Sequence, residues 1–475
     1  MNDSSSRLCA WVYQLFRYPR TRFRQYSSTP VPAVEVPKTL PFPRVEAPVT
    51  TTQRYPDKNN KSIFNRKYAL ADMVNGPLAI TFLGTASAVP SHTRNHSSLV
   101  LKHDAGSWMF DCGEGTQKQM QRGGDGVRMG QVKRIFITHM HGDHVFGIVP
   151  LMASVLCGAG GTVGASDPRL DSAADKSARA ETGEDEALEI YGPLGLREYI
   201  RRALRLTYTN LGGAYRVTEL HFPTDQPQPE GRPHLLELPG KNILPHGDGL
   251  WRDFCITPNL VVSAGPILHS APCIGFVVQE TNVPGKMNPA LYAPHLKRNK
   301  EALAAEGIAN PMKLLATIQQ GTKITLPDGT VLTPPAPRVG RKIAILGDTH
   351  DPSPMAVLCD DADLLIHEAT NAHLPDIDAA TKSTDTFETV QERTICHGHS
   401  TPQMAGAFAR RIGAKRLCLN HFSSRYKGDE SEEAMSIMEG IRALAIKEFG
   451  SDDVTCARDF MRIEVKRQEE EIERS

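Results

Sequence analysis

The chain has no surplus of either charge: 54 Lys and Arg balance 54 Asp and Glu over 475 residues. Strong non-specific binding to phosphates needs excess positive charge, so any nucleic-acid site must be a local patch. No C-x-x-C pair occurs among the nine cysteines, which are scattered and odd in number. That argues against a disulfide framework and for reduced intracellular thiols, and none of the nine is a candidate ligand. No uninterrupted apolar run reaches the roughly 18 residues that a membrane helix requires, so no span is expected. What is present, 40% hydrophobic and 23% charged residues, describes a globule able to bury a large core. The length permits two or three domains, although layered α/β folds of this size are often single domains.

The densest chemistry lies in Thr138-His139-Met140-His141-Gly142-Asp143-His144, directly after the apolar run Arg134-Ile135-Phe136-Ile137. Imidazole nitrogen and carboxylate oxygen are ligands that Zn²⁺ favours. Residues 139 and 141 share one face of an extended segment and can chelate one ion, while 143 and 144 lie further round the turn for a second. Chance occurrence of H-x-H-x-D-H in a chain with this histidine content is on the order of one in a thousand. A metal pair needs further ligands, and three more apolar runs deliver one each. Leu260–Ser263 and then Pro266-Ile267-Leu268 lead to His269; Lys342–Gly347 ends at Asp348; Arg416–Asn420 ends at His421. Each reads as a short buried strand with a candidate ligand at its C-terminal end. His234 and His246 follow no strand and read as loop residues.

Other motifs are more specific still. Phe82-Leu83-Gly84-Thr85 is followed by Pro90 and Arg94-Asn95, and Phe110-Asp111-Cys112-Gly113-Glu114-Gly115-Thr116-Gln117 forms a second block. His367-Glu368-Ala369-Thr370, His399-Ser400-Thr401 and Ala457-Arg458-Asp459-Phe460 follow. With the histidine loop, these blocks resemble the metallo-β-lactamase superfamily and, within it, ribonuclease Z, the endonuclease that trims the 3′ trailer from precursor tRNA. The resemblance runs from about Leu78 to about Val465 and covers one catalytic domain, as in the short form of the family.

Apolar strands recur at 79–83, 98–101, 107–110, 133–137, 188–191, 260–263, 274–278, 342–346, 363–366, 416–419 and 461–465, with helical stretches after 114, 144, 194, 402 and 431. Many strands with a minority of helices suggest two packed sheets with helices outside. The resemblance implies the αββα sandwich, an α/β fold, with a protruding arm. Residues 1–27 are rich in Arg and Ser, with Asp3 the one acid in the first 26, and are expected to be an organelle transit peptide. The expected location is therefore the mitochondrion, with another organelle, the cytoplasm or the nucleus as alternatives. Residues 28–77 read as a disordered linker, 78–467 as the catalytic domain, 158–187 and 222–249 as flexible insertions, and 468–475 as a charged tail.

The resemblance implies two Zn²⁺ per subunit. His139, His141 and His269 would hold one, Asp143, His144 and His421 the other, and Asp348 would bridge them. Such a pair supplies a nucleophile at neutral pH and neutralises phosphate charge. It also implies that His399 donates a proton to the leaving 3′ oxygen, with Glu368 as its partner, and that Asp143 helps to manage the proton of the attacking water. His397 is distinguished from His399 only by the Ser400-Thr401 that follows the latter. The expected substrate is precursor tRNA, cut to leave a 3′-hydroxyl on the tRNA and a 5′-phosphate on the trailer, and the expected assembly is a homodimer. Residues 284–337 are the candidate tRNA-binding arm, with cations at Lys286, Lys297, Arg298, Lys300 and Lys313. Lys313 and Arg425 are the candidate substrate contacts. The alternative is another binuclear zinc hydrolase of the same fold, acting on a small phosphodiester or ester.

Overall fold

Alternation of side chains along each strand decides which residues face which layer. Along Ser98–His103, Leu99 and Leu101 enter the core between two sheets, while Val100 faces a separate outer layer. Gly106–Phe110 repeats the pattern, with Trp108 and Phe110 inward and Met109 outward. The computed structural model describes residues 76–123, 127–157, 187–226 and 229–467, all within one compact unit. The expected transit peptide, the charged tail, the linker up to residue 75 and the 158–186 stretch lie outside the described residues.

One sheet runs, neighbour to neighbour, Arg462–Glu464, Ala79–Gly84, Ser98–His103, Gly106–Phe110, Val132–Phe136, Leu188–Pro193, Tyr215–Leu220 and Glu237–Leu238, with Asn242–Ile243 also paired to Tyr215–Leu220. The second runs Trp251–Ile256, Leu260–Ile267, Cys273–Glu280, Lys342–Ile345, Leu364–Glu368, Leu417–Asn420 and Val454–Cys456. Aromatic rings join the two: Phe276 from the second sheet lies 5.5 Å from Phe136 and 5.8 Å from Phe110 of the first, centroid to centroid. Truncating such a ring to alanine costs about 3–5 kcal/mol.

Helices cover both outer faces. Thr116–Arg122, Ile148–Cys157 and Leu196–Leu206 lie on the first sheet, and Pro402–Arg411 and Glu432–Phe449 on the second. Their ends are written locally. Thr401 caps the first turn of Pro402–Arg411 with Pro402 at its first position, and Ser431 caps Glu432–Phe449, which Gly450 closes at φ 82°. The arrangement is the αββα sandwich.

Each sheet contains a run of parallel strands, Gly106–Phe110 to Tyr215–Leu220 in the first and Lys342–Ile345 to Val454–Cys456 in the second. Loops leaving parallel strands gather at one edge, where a site can be assembled from segments distant in sequence. One segment differs from expectation. Residues 222–249, read as a flexible insertion, add the strands Glu237–Leu238 and Asn242–Ile243 to the first sheet. Arg201 binds Glu237 at 2.7 Å and Glu230 at 3.0 Å, and Leu236 and Leu238 are buried, which ties the stretch down. Residues 284–337 are a folded excursion, closed at its base by the bridge between Val283 and Arg338. It holds the helices Pro289–Arg298, Lys300–Ala305 and Leu314–Gln319, a hairpin of Ile324–Thr325 with Val331–Leu332, and a core of its own around Leu296, Leu303, Ile318, Leu326 and Leu332.

Candidate metal centre and active site

Thr138 anchors the histidine loop. Its backbone N–H and hydroxyl donate to the two carboxylate oxygens of Asp111 at 2.8 and 2.9 Å. Asp111 is buried and left-handed at φ 57°, and its Oδ2 also meets His144 Nδ1 at 2.7 Å. The loop crosses to the second sheet at Gly347, where a Cβ would lie 2.7 Å from the Thr138 side chain. Only a residue without a side chain lets the two strand ends approach this closely.

From these anchors the ligand candidates converge. His139, His141 and His269 have ligand atoms within 4.8 Å of one another, as do Asp143, His144, Asp348 and His421. Asp348 faces both groups: its Oδ1 lies 3.3 Å from His144 Nε2 and 3.2 Å from His421 Nε2, its Oδ2 3.7 Å from His139 Nε2 and 3.9 Å from His269 Nε2. Asp143 Oδ2 accepts from the backbone N–H of Ala88 at 2.9 Å and lies 3.4 and 3.5 Å from His144 and His421. Ala88 and His421 are themselves left-handed, at φ 55° each. Such backbone persists only where its surroundings hold it, and functional sites are where it gathers.

The donor set fits a divalent metal. The outer nitrogens are held by the protein: His144 Nδ1 by Asp111 and His269 Nδ1 by the Gly398 carbonyl at 2.7 Å, while His139 Nδ1 and His421 Nδ1 lie 3.0 and 3.3 Å from the hydroxyls of Thr138 and Thr370. Metal-bound histidines are oriented in this way. The inward atoms are left over, and His139 Nε2 and Asp348 Oδ1 are buried with no hydrogen-bond partner. Buried polar atoms in folded proteins are almost always paired. A shared cation satisfies both, and nitrogen and oxygen donors of this kind suit zinc. Without one the cluster is electrostatically divided. Burial and the neighbouring His144 push His139 well below the usual histidine pKa. Burial opposes charge on His144 too, but Asp348 and Asp111 outweigh it and raise that pKa well above the usual value.

A second unit abuts the cluster. Glu368, at the end of Leu364–Glu368, is 2% exposed. Its Oε1 accepts from Thr349 N–H at 2.6 Å and meets His399 Nδ1 at 3.1 Å; its Oε2 accepts from the Thr370 hydroxyl at 2.6 Å and Ser400 N–H at 3.1 Å. Ser400 then donates to the Thr349 carbonyl at 2.6 Å. The carboxylate is thus fixed on every side, and His399 with it. Burial disfavours a charged His399, but Glu368 and then Asp348 outweigh that and raise its pKa to about 9. His397 points elsewhere, with Nδ1 on its own helix at the Arg393 carbonyl, 2.7 Å away.

A family model described as anti-Pycsar protein Apyc1 matches residues 78–157, the first strand through the helix after the histidine loop. Over 405 residues the chain is 35% identical to zinc phosphodiesterase ELAC protein 1 of Bos taurus, spanning 81% of this chain and 98% of that relative. It is 33% identical over 401 residues to ribonuclease Z of Microcystis aeruginosa, spanning 83% and 98%. The chain belongs to the ribonuclease Z family. A solved structure of human tRNase Z, short form (ELAC1), covers 82% of this chain and 99% of its own at 29% identity, with a TM-score of 0.49.

Within this ribonuclease Z fold the remaining candidates divide. Lys313 is exposed in the arm, in the turn Pro311–Lys313. Arg425, which is exposed, lies over the ring of buried Tyr426 at 4.6 Å, bonds its hydroxyl, and pairs with Asp378 at 3.5 Å. His234 is buried and accepts from Leu236 N–H at 3.2 Å, and neither it nor His246 joins a metal-capable group among the described residues. Asp111, Thr370 and Thr349 were not singled out by sequence as site-building residues. Asp111 does lie in a recognisable turn, so its motif was the available signal. The other quoted blocks meet around Arg94, which donates to Thr85 Oγ1 at 2.7 Å, Tyr426 O at 2.7 Å and Ala457 O at 2.9 Å. Asp459 ties in Thr85 and Asn95 at 2.8 Å each.

Proposed function

We propose that the protein is a zinc-dependent endoribonuclease that removes the 3′ trailer from precursor tRNA, leaving a 3′-hydroxyl on the tRNA and a 5′-phosphate on the trailer. The observation that carries this reading is the pair of buried Glu368 and half-buried His399 set against the metal-binding cluster. Hydrolysis of an activated ester needs no proton donor, whereas release of a sugar alkoxide does.

His139, His141 and His269 would hold one zinc ion and Asp143, His144 and His421 a second, with Asp348 facing both groups. Bound there, zinc supplies Lewis acidity that activates water and offsets charge on the phosphate oxygens. The chain's own residues do the rest. Asp143, steadied by the Ala88 N–H, takes up the proton of the attacking water. His399 keeps Nδ1–H on Glu368, which leaves Nε2–H to protonate the 3′ oxygen as its bond to phosphorus breaks. The negative charge of Glu368 favours the imidazolium needed for that transfer.

The arm at 284–337 grips the tRNA away from the cut, a role supported by its exposed Lys297, Lys300 and Lys313 and by a core independent of the sandwich. Two further assignments belong to this proposal: a homodimer, which the family resemblance implies, and a mitochondrial location, which rests on the Arg-rich, acid-poor composition of residues 1–27. Among the described residues no helix is long and apolar enough to cross a membrane. The function is tested by comparing kcat/KM on a trailer-bearing precursor tRNA with that on bis(p-nitrophenyl) phosphate. A strong preference for the RNA is expected, and turnover of the small diester alone would refute the proposal. Native mass spectrometry reads zinc per subunit and subunit number together, with two of each expected.

A further inference from the structure

Three large apolar side chains close in sequence to the ligand candidates are exposed. Phe146 is 58% exposed, Val89 60% and Leu268 45%, and each lies within three residues of a ligand candidate or its anchor. Leu268 precedes His269, and Val89 follows Ala88, whose N–H holds Asp143. Phe146 is the most informative of the three. It follows the short helix Gly142–Val145, which carries Asp143 and His144, and its own φ of −67° and ψ of −18° continue that turn. Residues three and four apart on such a turn share a face, so Phe146 is stacked beside Asp143 and Gly142. Its ring lies directly over Gly142: a Cβ at that position would come within 2.2 Å of the ring. The backbone next to the ligand His141 is therefore a floor on which the ring rests; Tyr199 lies 6.4 Å away, centroid to centroid, and more than half of Phe146 remains exposed.

We infer that Phe146 is a positioning residue on which a nucleobase flanking the cleaved phosphodiester stacks. The inference rests on the RNA-cleaving reading above. A large aromatic ring has much apolar area to bury when a partner stacks on it. Here it rests on the backbone between two ligand candidates, His141 and Asp143, and follows His144 by two residues. Each phosphodiester joins two nucleosides, so a base is tethered a few bonds from that position on either side. Aromatic side chains bind single-stranded nucleic acid through base stacking regardless of sequence. That suits an enzyme whose substrates share a junction rather than a base sequence.

The test compares the zinc-loaded protein with Phe146→Ala, Phe146→Leu and Phe146→Trp on precursor RNA, alongside substrates made abasic at the nucleotide on either side of the cut. Zinc content and thermal midpoint of each variant control for folding. Stacking predicts a rise in KM of about tenfold or more for Ala, an intermediate rise for Leu, and recovery with Trp. On the abasic substrate the gap between wild type and Phe146→Ala should close. A 2-aminopurine at the stacked position should lose fluorescence on mixing with wild type and keep it with Phe146→Ala. Unchanged KM in Phe146→Ala, or equal losses on intact and abasic RNA, would overturn this inference while leaving the function standing. So would a change in subunit number on ultracentrifugation, which would assign the ring to a subunit contact. Failure of the wild type itself to cut the RNA would overturn the function and this inference together.

Discussion

Replacing His399 with alanine separates proton donation from everything else the site does. The side chain touches Glu368 at 3.1 Å and stands 3.9 Å from Asp348, outside the two ligand groups assigned to zinc. Its removal should therefore leave zinc content intact. A positioned general acid contributes about 10²–10⁴ in rate, so kcat on precursor RNA should fall by that factor, about 3–5.5 kcal/mol of barrier. A nitrophenolate leaves without a proton, so kcat on bis(p-nitrophenyl) phosphate should fall by much less. The pH profile gives an independent reading. His399 has a raised pKa of about 9, so its protonated form is complete well below that value and is lost as pH rises through it. Bound cations push the value down, which places the alkaline fall of RNA cleavage at or below about pH 9. That fall should vanish in His399→Ala. Equal losses on both substrates, or an alkaline limb that survives the substitution, would refute the leaving-group role.

Three other consequences can be checked. Asp111→Ala should weaken zinc binding about 10–100-fold, because His144 and Thr138 lose the carboxylate that orients them; competition with a calibrated chelator measures it, and unchanged affinity would deny Asp111 that role. Arg94→Met leaves the Tyr426 and Ala457 carbonyls unpaired in the interior, at about 1–3 kcal/mol each, and denaturant unfolding of the zinc-loaded protein should show a loss of about 2–6 kcal/mol. Reversing three arm charges together, with Lys297→Glu, Lys300→Glu and Lys313→Glu, should raise KM for precursor tRNA and flatten its salt dependence, while hydrolysis of the small diester is unchanged. An unaltered salt slope would remove the arm from RNA binding.

The ligand candidates were legible because residue type and strand period coincide there. His269, Asp348 and His421 each end an apolar run, and a buried strand followed at once by a metal-binding side chain is a pattern a sequence displays directly. His399 was separable from His397 only through Ser400-Thr401, and the structure gives the physical content of that motif: Ser400 N–H binds the same carboxylate as His399. Elements whose stability comes from tertiary pairing were harder to read. Tyr215–Leu220 and Trp251–Ile256 carry Glu219 and Asp253 at positions in register with their apolar residues, which breaks the alternation that marks a strand. The arm's helices are short and Pro294 interrupts the first of them, so no 3.6-residue stripe develops. Residues 222–249 read as a loop because their order depends on Arg197 and Arg201 of a neighbouring helix. The part played by Asp111 depends on a left-handed turn and on a contact 33 residues away, neither of which local pattern contains.

The most direct test of the central claim is to incubate the zinc-loaded protein with a trailer-bearing precursor tRNA and map both new ends. The account predicts one cut at the junction of tRNA and trailer, with a 3′-hydroxyl on the tRNA and a 5′-phosphate on the trailer. A 3′-phosphate on the tRNA would contradict it, because the proton from His399 would then have gone to the wrong oxygen. So would the absence of any cut by protein that holds its zinc and hydrolyses a small diester.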